Sequence, residues 1–150
     1  MLLAPAAEAA NPVLLIQATG SATGGGDVTA FVDQVEIVRV SDGAVMSTAV
    51  ANPSFETNGG LGNGNYGYNP SGASWAFNNG SGIAQNGSAF GPTPTTFGTY
   101  VAFLQSTTGL GNGQIQQTLA LADGVYRVRF QVSQRNCCSA INDQGLRGCR

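Results

Sequence analysis

The chain predicts an all-β fold, a sandwich of antiparallel strands. Three observations carry this. Short runs rich in Val, Ile, Phe, Tyr and Thr recur along 150 residues, a length that suits one domain. Clusters of Gly and Asn separate these runs and supply turns, 22 residues being Gly. No segment sustains the apolar repeat of a helix.

The elements follow in order. Residues 13–18 are a short apolar run and 20–26 a turn-forming loop. Residues 28–40 are the clearest strand. Side chains alternate across a strand, so Asp33 is expected to point with Phe31, Val35 and Ile37. An acid in that company faces the core or its edge, and requires a cation, hydrogen-bond donors or a raised pKa. Residues 41–43 turn, and 45–50 are a weak strand or linker. Asn52-Pro53-Ser54-Phe55-Glu56 reads as the opening of a strand, with Pro53 at its start because proline cannot donate to a ladder. Residues 57–65, nearly all Gly and Asn, form a loop.

Aromatic residues return with Tyr66 and Tyr68 beside the Gly-rich loop, then Trp75 and Phe77, whose shared strand parity places them in the core. Asn79-Gly80 and Asn86-Gly87 are tight-turn pairs around a short run with Ile83. Residues 92–94 break the chain. Residues 100–105 are apolar on both faces, as a central strand is. A turn at 109–113 leads to a strand at 114–121, and Asp123-Gly124 is expected to make a hairpin turn into 125–133. In that last strand Tyr126, Val128, Phe130 and Val132 are expected inside. Arg127, Arg129, Gln131 and Ser133 are expected outside, with Arg135 extending the polar face. Seven or eight short strands of this kind suggest a jelly-roll sandwich.

Composition narrows the function. There is no Lys and no His, and the formal net charge is −2. Six scattered Arg make no basic patch, which argues against nucleic acid and against anionic membranes. No apolar run is long enough to span a bilayer, so membrane insertion is not expected. Lack of His removes the commonest general base and zinc ligand, so an enzyme is not expected. Gly109-x-Gly111-x-Gly113 lies between strands with no helix behind it, which removes the phosphate-binding reading. The start is a poor signal peptide and reads as an arbitrary start within a longer protein. Cys137, Cys138 and Cys149 imply one disulfide from Cys149 to either neighbour, or free thiols in a tail.

The strings N-P-S-F-E, S-W-A-F-N-N-G-S-G-I-A, V-A-F-L-Q and Q-I-Q-Q-T-L-A-L-A-D-G-V-Y-R-V-R-F-Q-V-S-Q-R resemble the first two-thirds of a galactose-binding-like jelly-roll module of secreted bacterial proteins. The earlier G-G-G-D-V-T-A-F-V-D-Q-V-E-I-V resembles the end of another copy. A tail, residues 1–49, therefore precedes a head, residues 50–150. Either the chain straddles two tandem modules, or the tail packs on the head as a permuted, incomplete sandwich, which is the favoured arrangement.

The resemblance implies a non-catalytic, carbohydrate-binding-like module of a secreted or surface multidomain protein. Its partners would be a glycan or cell-wall polysaccharide and the other domains of its parent chain. A structural or adhesive repeat with no sugar site is the alternative. In such modules an acid after the first strand and one in the last strand hold calcium, here Glu56 and Asp33. Tyr66 and Tyr68 would stack on sugar, and Arg135 would hydrogen-bond it.

Overall fold

The computed structural model describes residues 11–19, 28–62, 64–107, 109 and 111–135. The three cysteines, the 20–26 loop and the start of the chain lie outside them. Among the described residues there are nine strands and no helix. None of them forms a helix long and apolar enough to cross a membrane.

The strands are β1 (Val13–Gln17), β2 (Val28–Arg39), β3 (Tyr66–Tyr68), β4 (Ala76–Asn78), β5 (Gly80–Gln85), β6 (Tyr100–Thr107), β7 (Gly111–Asn112), β8 (Gln114–Thr118) and β9 (Tyr126–Gln134). They form two antiparallel sheets. The small one runs β1-β8-β4 and the large one β3-β5-β6-β2-β9, with β7 pairing β6. This is the all-β, sandwich-like class that the sequence predicts.

One core lies between the sheets. Val32, Val35, Ile37, Ile83, Ala102 and Leu104 of the large sheet meet Ile16, Phe77 and Ile115 of the small one, together with Phe55 and Trp75. The first part of the chain is interleaved with the rest, since β2 lies between β6 and β9, and β1 pairs with β8. A second cluster covers the outer face of the large sheet and contains Phe31, Ala84, Phe90, Val101 and Phe103. Registers explain the division. Phe31 pairs with Phe103 and Ala84 with Val101 on the outer face, whereas Val32 and Ile83 both pair with Ala102 on the inner one.

Four expectations are corrected. First, Asp33 points with Phe31, but Val35 and Ile37 face the opposite way. The β2–β9 register shifts between Asp33 and Glu36, and Gln34 takes φ 46°, so one extra residue reverses the parity. Second, residues 52–56 form a turn rather than a strand. Asn52 and Phe55 both have positive φ, and the Phe55 N–H donates to the Asn52 carbonyl. The Asn52 side chain holds this turn, donating to the Thr57 and Ala73 carbonyls and accepting from the Thr57 N–H. Third, Asp123-Gly124 does not close a hairpin, because β8 belongs to the small sheet and β9 to the large one.

Fourth, the apolar side chains of β9 are not buried. Val128, Phe130 and Val132 are 39%, 42% and 65% exposed, and only Tyr126 packs partly against the inner core. Their parity is the expected one, since Val132 pairs with Val32 and Val128 with Ile37. What fails is coverage. Among the described residues strand β9 is the last of the large sheet, and of its apolar side chains only Tyr126 packs against the core between the sheets. Residues 45–50 form no strand over β9: Val45 bridges Val38, the Met46 N–H donates to the Ile37 carbonyl, and Val50 is buried in the inner core.

Gly82 is required by the outer cluster. A Cβ there would strike the Gly67 carbonyl oxygen and come within 2.5 Å of the Phe103 ring. Gly82→Ala is therefore expected to cost roughly 1–3 kcal/mol by overpacking. Gly109→Ala, with open space around it and no positive φ, is expected to change little. Urea denaturation of the two variants checks this. Equal midpoints would show that the sheet yields around residue 82.

Candidate functional site

The outer face of the large sheet carries an aromatic cluster whose parts come from distant segments. Strand β3 pairs with β5, setting Tyr66 opposite Ala84 and Tyr68 opposite Gly82. Both tyrosines therefore stand on the outer face. Because Gly82 has no side chain, the Phe103 ring can lie across it, with the Tyr68 ring centroid 5.0 Å away and edge-on. Phe90, from the loop after β5, stacks on Phe103 at 4.0 Å and packs against Tyr66 at 5.1 Å and Tyr68 at 5.9 Å. The Arg135 guanidinium lies 4.2 Å from the Phe90 ring centroid. A cation over a partly desolvated ring is worth ~0.5–2 kcal/mol, enough to hold the guanidinium in place.

Tyr66, Tyr68 and Arg135 thus converge around Phe90. Tyr68 is 42% exposed, whereas Phe90 and Phe103 are buried beneath the face. The Tyr68 hydroxyl donates to Gln105 Oε1 at 2.8 Å, adding an amide to the face. Tyr66 and Tyr68 are not loop residues, as their Gly-rich surroundings suggested. They occupy a paired strand and are already ordered. Trp75 and Phe77 lie buried in the inner core, as their parity indicates.

The two acids lie on segments beside this face, near enough for the Glu56 charge to act on Asp33. Asp33 is only 4% exposed. Its Oδ1 accepts the Gln34 N–H at 2.7 Å, and its Oδ2 accepts the Thr95 hydroxyl. Burial pushes its pKa above the ordinary 3.8; the bonds from Thr95 and Gln34 pull it down less, and the nearby Glu56 charge adds a smaller upward push. Glu56 is exposed, and its Oε1 accepts the N–H groups of Thr99 at 2.9 Å and Tyr100 at 3.0 Å. Its carboxylate rests against the Cα of Gly98, where a Cβ would collide with it. A cavity of about 180 Å³ beside Asp33 is lined by Thr93, Thr95, Phe97, Gln131 and Ser133, among others.

For a cation, this arrangement offers two carboxylates and the Thr95 hydroxyl. Among the described residues no group of three or more His, Cys, Asp or Glu comes together. Calcium takes six to eight oxygens, so any others would come from backbone carbonyls and water.

Phe90, Phe103, Gln105 and Thr95 were not singled out from sequence. Phe90 sits in the S-A-F-G-P stretch, which reads as a chain break, and nothing local shows that it folds back onto the sheet. Gln105 does carry a signal, being an amide at the end of an apolar central strand.

Comparison with protein families, with curated proteins and with solved structures finds no match.

Asp33 gives a pH test. Because its folded pKa is raised, the stability associated with its protonated form is fully present below pH 3.8 and is lost as pH rises through the folded value. In calcium-free buffer Asp33→Asn should therefore melt higher than the unmodified protein at pH 7, and the difference should vanish near pH 3. Thermal melts across that range check it. A variant that melts lower at pH 7 would mean that the Thr95 and Gln34 bonds outweigh burial.

Proposed function

We propose that this protein is a non-catalytic, carbohydrate-binding-like module of jelly-roll kind, acting in a secreted or surface-attached multidomain protein. The observation that supports it best is the aromatic face. Tyr66 and Tyr68 present rings set at 81° to each other and backed by buried Phe90 and Phe103, with Arg135 and Gln105 at hand. Sugars offer C–H faces to such rings and hydroxyls to such polar groups. The sheet holds the rings before any ligand arrives, so little side-chain entropy is lost on binding. Arg135 adds a positive charge that suits neutral or acidic glycans.

A structural calcium at Asp33 and Glu56 belongs to the same reading. A cation between the two carboxylates would offset their mutual repulsion. It would also tie the loop before β6, through Thr95 and Thr99, to β2. Its role would be stability, with no part in chemistry.

Two measurements test these proposals separately. Tyr68→Ala should weaken retention on a bound polysaccharide by about tenfold, and because it also removes the packing on Phe103 and the bond to Gln105, circular dichroism is used to confirm that the variant is folded at the temperature of the assay. Unchanged retention would favour an adhesive repeat with no sugar site. Millimolar calcium should raise the melting temperature by several degrees, because it binds the folded state selectively. Asp33→Asn should remove that shift. A flat response to calcium would sink the metal site and leave the glycan reading standing.

A further inference from the structure

We infer that the cavity between strand β9 and the loop after β5 is a second binding site, which takes a primary ammonium group carried on a small apolar body. It is distinct from the aromatic face of Tyr66 and Tyr68 and does not depend on the glycan reading.

The loop is fastened to the large sheet at two places. At the end of β9, Pro92 bridges Arg135, and the Thr93 hydroxyl donates to the Gln134 carbonyl. Beside the bulge of β2, the Thr95 hydroxyl donates to Asp33 Oδ2, and Thr95 Oγ1 in turn accepts the Phe97 N–H at 3.0 Å. Residues 93–97 thus form one side of a cavity of about 180 Å³, and β9 forms the other. Register sets the β9 side. Gln131 pairs with Asp33 and Ser133 with Phe31, so all four stand on the outer face of the sheet. The Phe97 side chain is 40% exposed although its backbone is held.

Charge selects a cation. Among the described residues lining the cavity, Asp33 is the one charged group. The charge acting on it is that of Glu56, of the same sign. The two arginines that flank Gln131 and Ser133 on this face of β9 are engaged elsewhere, Arg129 with Glu36 and Arg135 over Phe90. A buried carboxylate in that setting favours a positive partner. Glu56 is not part of the lining, so this position differs from the one between the two carboxylates. The lining also favours an organic cation over a hydrated metal ion. Phe31, Val101 and Phe97 are apolar, and an aromatic ring attracts an ammonium group.

Hydrogen bonding then selects a primary amine, whose ammonium has three N–H donors. Each Asp33 oxygen accepts one bond within the protein, which leaves the carboxylate room for about two more. Gln131 Oε1 and Ser133 Oγ are not bonded among the described residues and supply further acceptors. A quaternary ammonium has no N–H to meet them. At about 30 Å³ for each small group, the volume suits a ligand of roughly six non-hydrogen atoms or fewer.

Nitrogen-15 NMR of the full chain tests this, by titration with propylammonium chloride at neutral pH with a chelator present to keep calcium away. The amides of Gln34, Thr95 and Phe97 should shift and saturate, with a midpoint of about 1 mM, a modest affinity set by so few ligand atoms. Propanol has the same body without the charge and should need about tenfold more. Asp33→Asn should weaken propylammonium binding about tenfold, and Phe97→Ala about threefold. Dispersed spectra establish that the variants are folded; Phe97 is exposed, so its variant keeps the fold whatever the buried position tolerates. Propanol that binds as well as the amine overturns the inference. So does either folded variant binding unchanged, equal shifts beside the exposed Asp123, or no saturable shift up to about 50 mM.

Discussion

Strand β2 supplies two cores on opposite faces of one sheet, and a single extra residue at Gln34 allows it. Before the bulge Phe31 faces outward and Val32 inward; after it Val35 and Ile37 face inward. Without the bulge, strict alternation would put Gln34, Glu36 and Val38 inside and expel Val35 and Ile37. A charged Glu36 in that core would cost several kcal/mol, of the order of the whole stability of a small domain. The left-handed conformation at Gln34 costs about 1–2 kcal/mol. Local bonds offset it. The Gln34 N–H meets Asp33 Oδ1, and the Val35 N–H meets the Pro53 carbonyl at 2.9 Å. The bulge also frees Glu36 to pair with Arg129 at 2.9 Å across the outer surface.

The loop between β5 and β6 depends on that geometry. With Asp33 turned outward, Thr95 has an acceptor on the sheet. Asn86 takes the Thr95 N–H and donates to the Gly98 carbonyl, and Glu56 receives the next two N–H groups. A loop pinned at these points delivers Phe90 to the outer face, where it organises both tyrosines and Arg135. The candidate site is thus set by polar residues that do not touch its exposed surface.

The strands of this fold were largely legible because alternation and Gly/Asn punctuation are local signals. The extents of β1, β2, β6 and β8, and the burial of Trp75 and Phe77, follow from them. The turn at Asn52 was not legible, because its left-handed residues are not glycines and are held by contacts with Thr57 and Ala73, five and twenty-one positions away. Nor was the bulge, because Phe31, Val35 and Ile37 share one parity and read as a single apolar face that hides the change of parity from Val32 to Val35. Strand β9 had the correct parity but the wrong environment. A pattern specifies which side chains share a face, and only the number of strands opposite decides whether that face is covered. At the site, Tyr66, Tyr68 and Arg135 were visible as residue types in the right setting, but their meeting point, Phe90, depends on the course of a loop.

The separation of the two cores also places the tryptophan on one side alone. The only tryptophan, Trp75, lies in the inner core, with its indole N–H on the Asn52 carbonyl at 3.1 Å and its ring 5.5 Å from Phe55. The outer face contains tyrosine and phenylalanine instead. Tryptophan emission therefore reports the packing between the sheets, while tyrosine signals come from both sides: Tyr66 and Tyr68 outside, Tyr100 and Tyr126 against the inner core. The molecule thus carries one clean optical reporter, its tryptophan, for the integrity of the inner core.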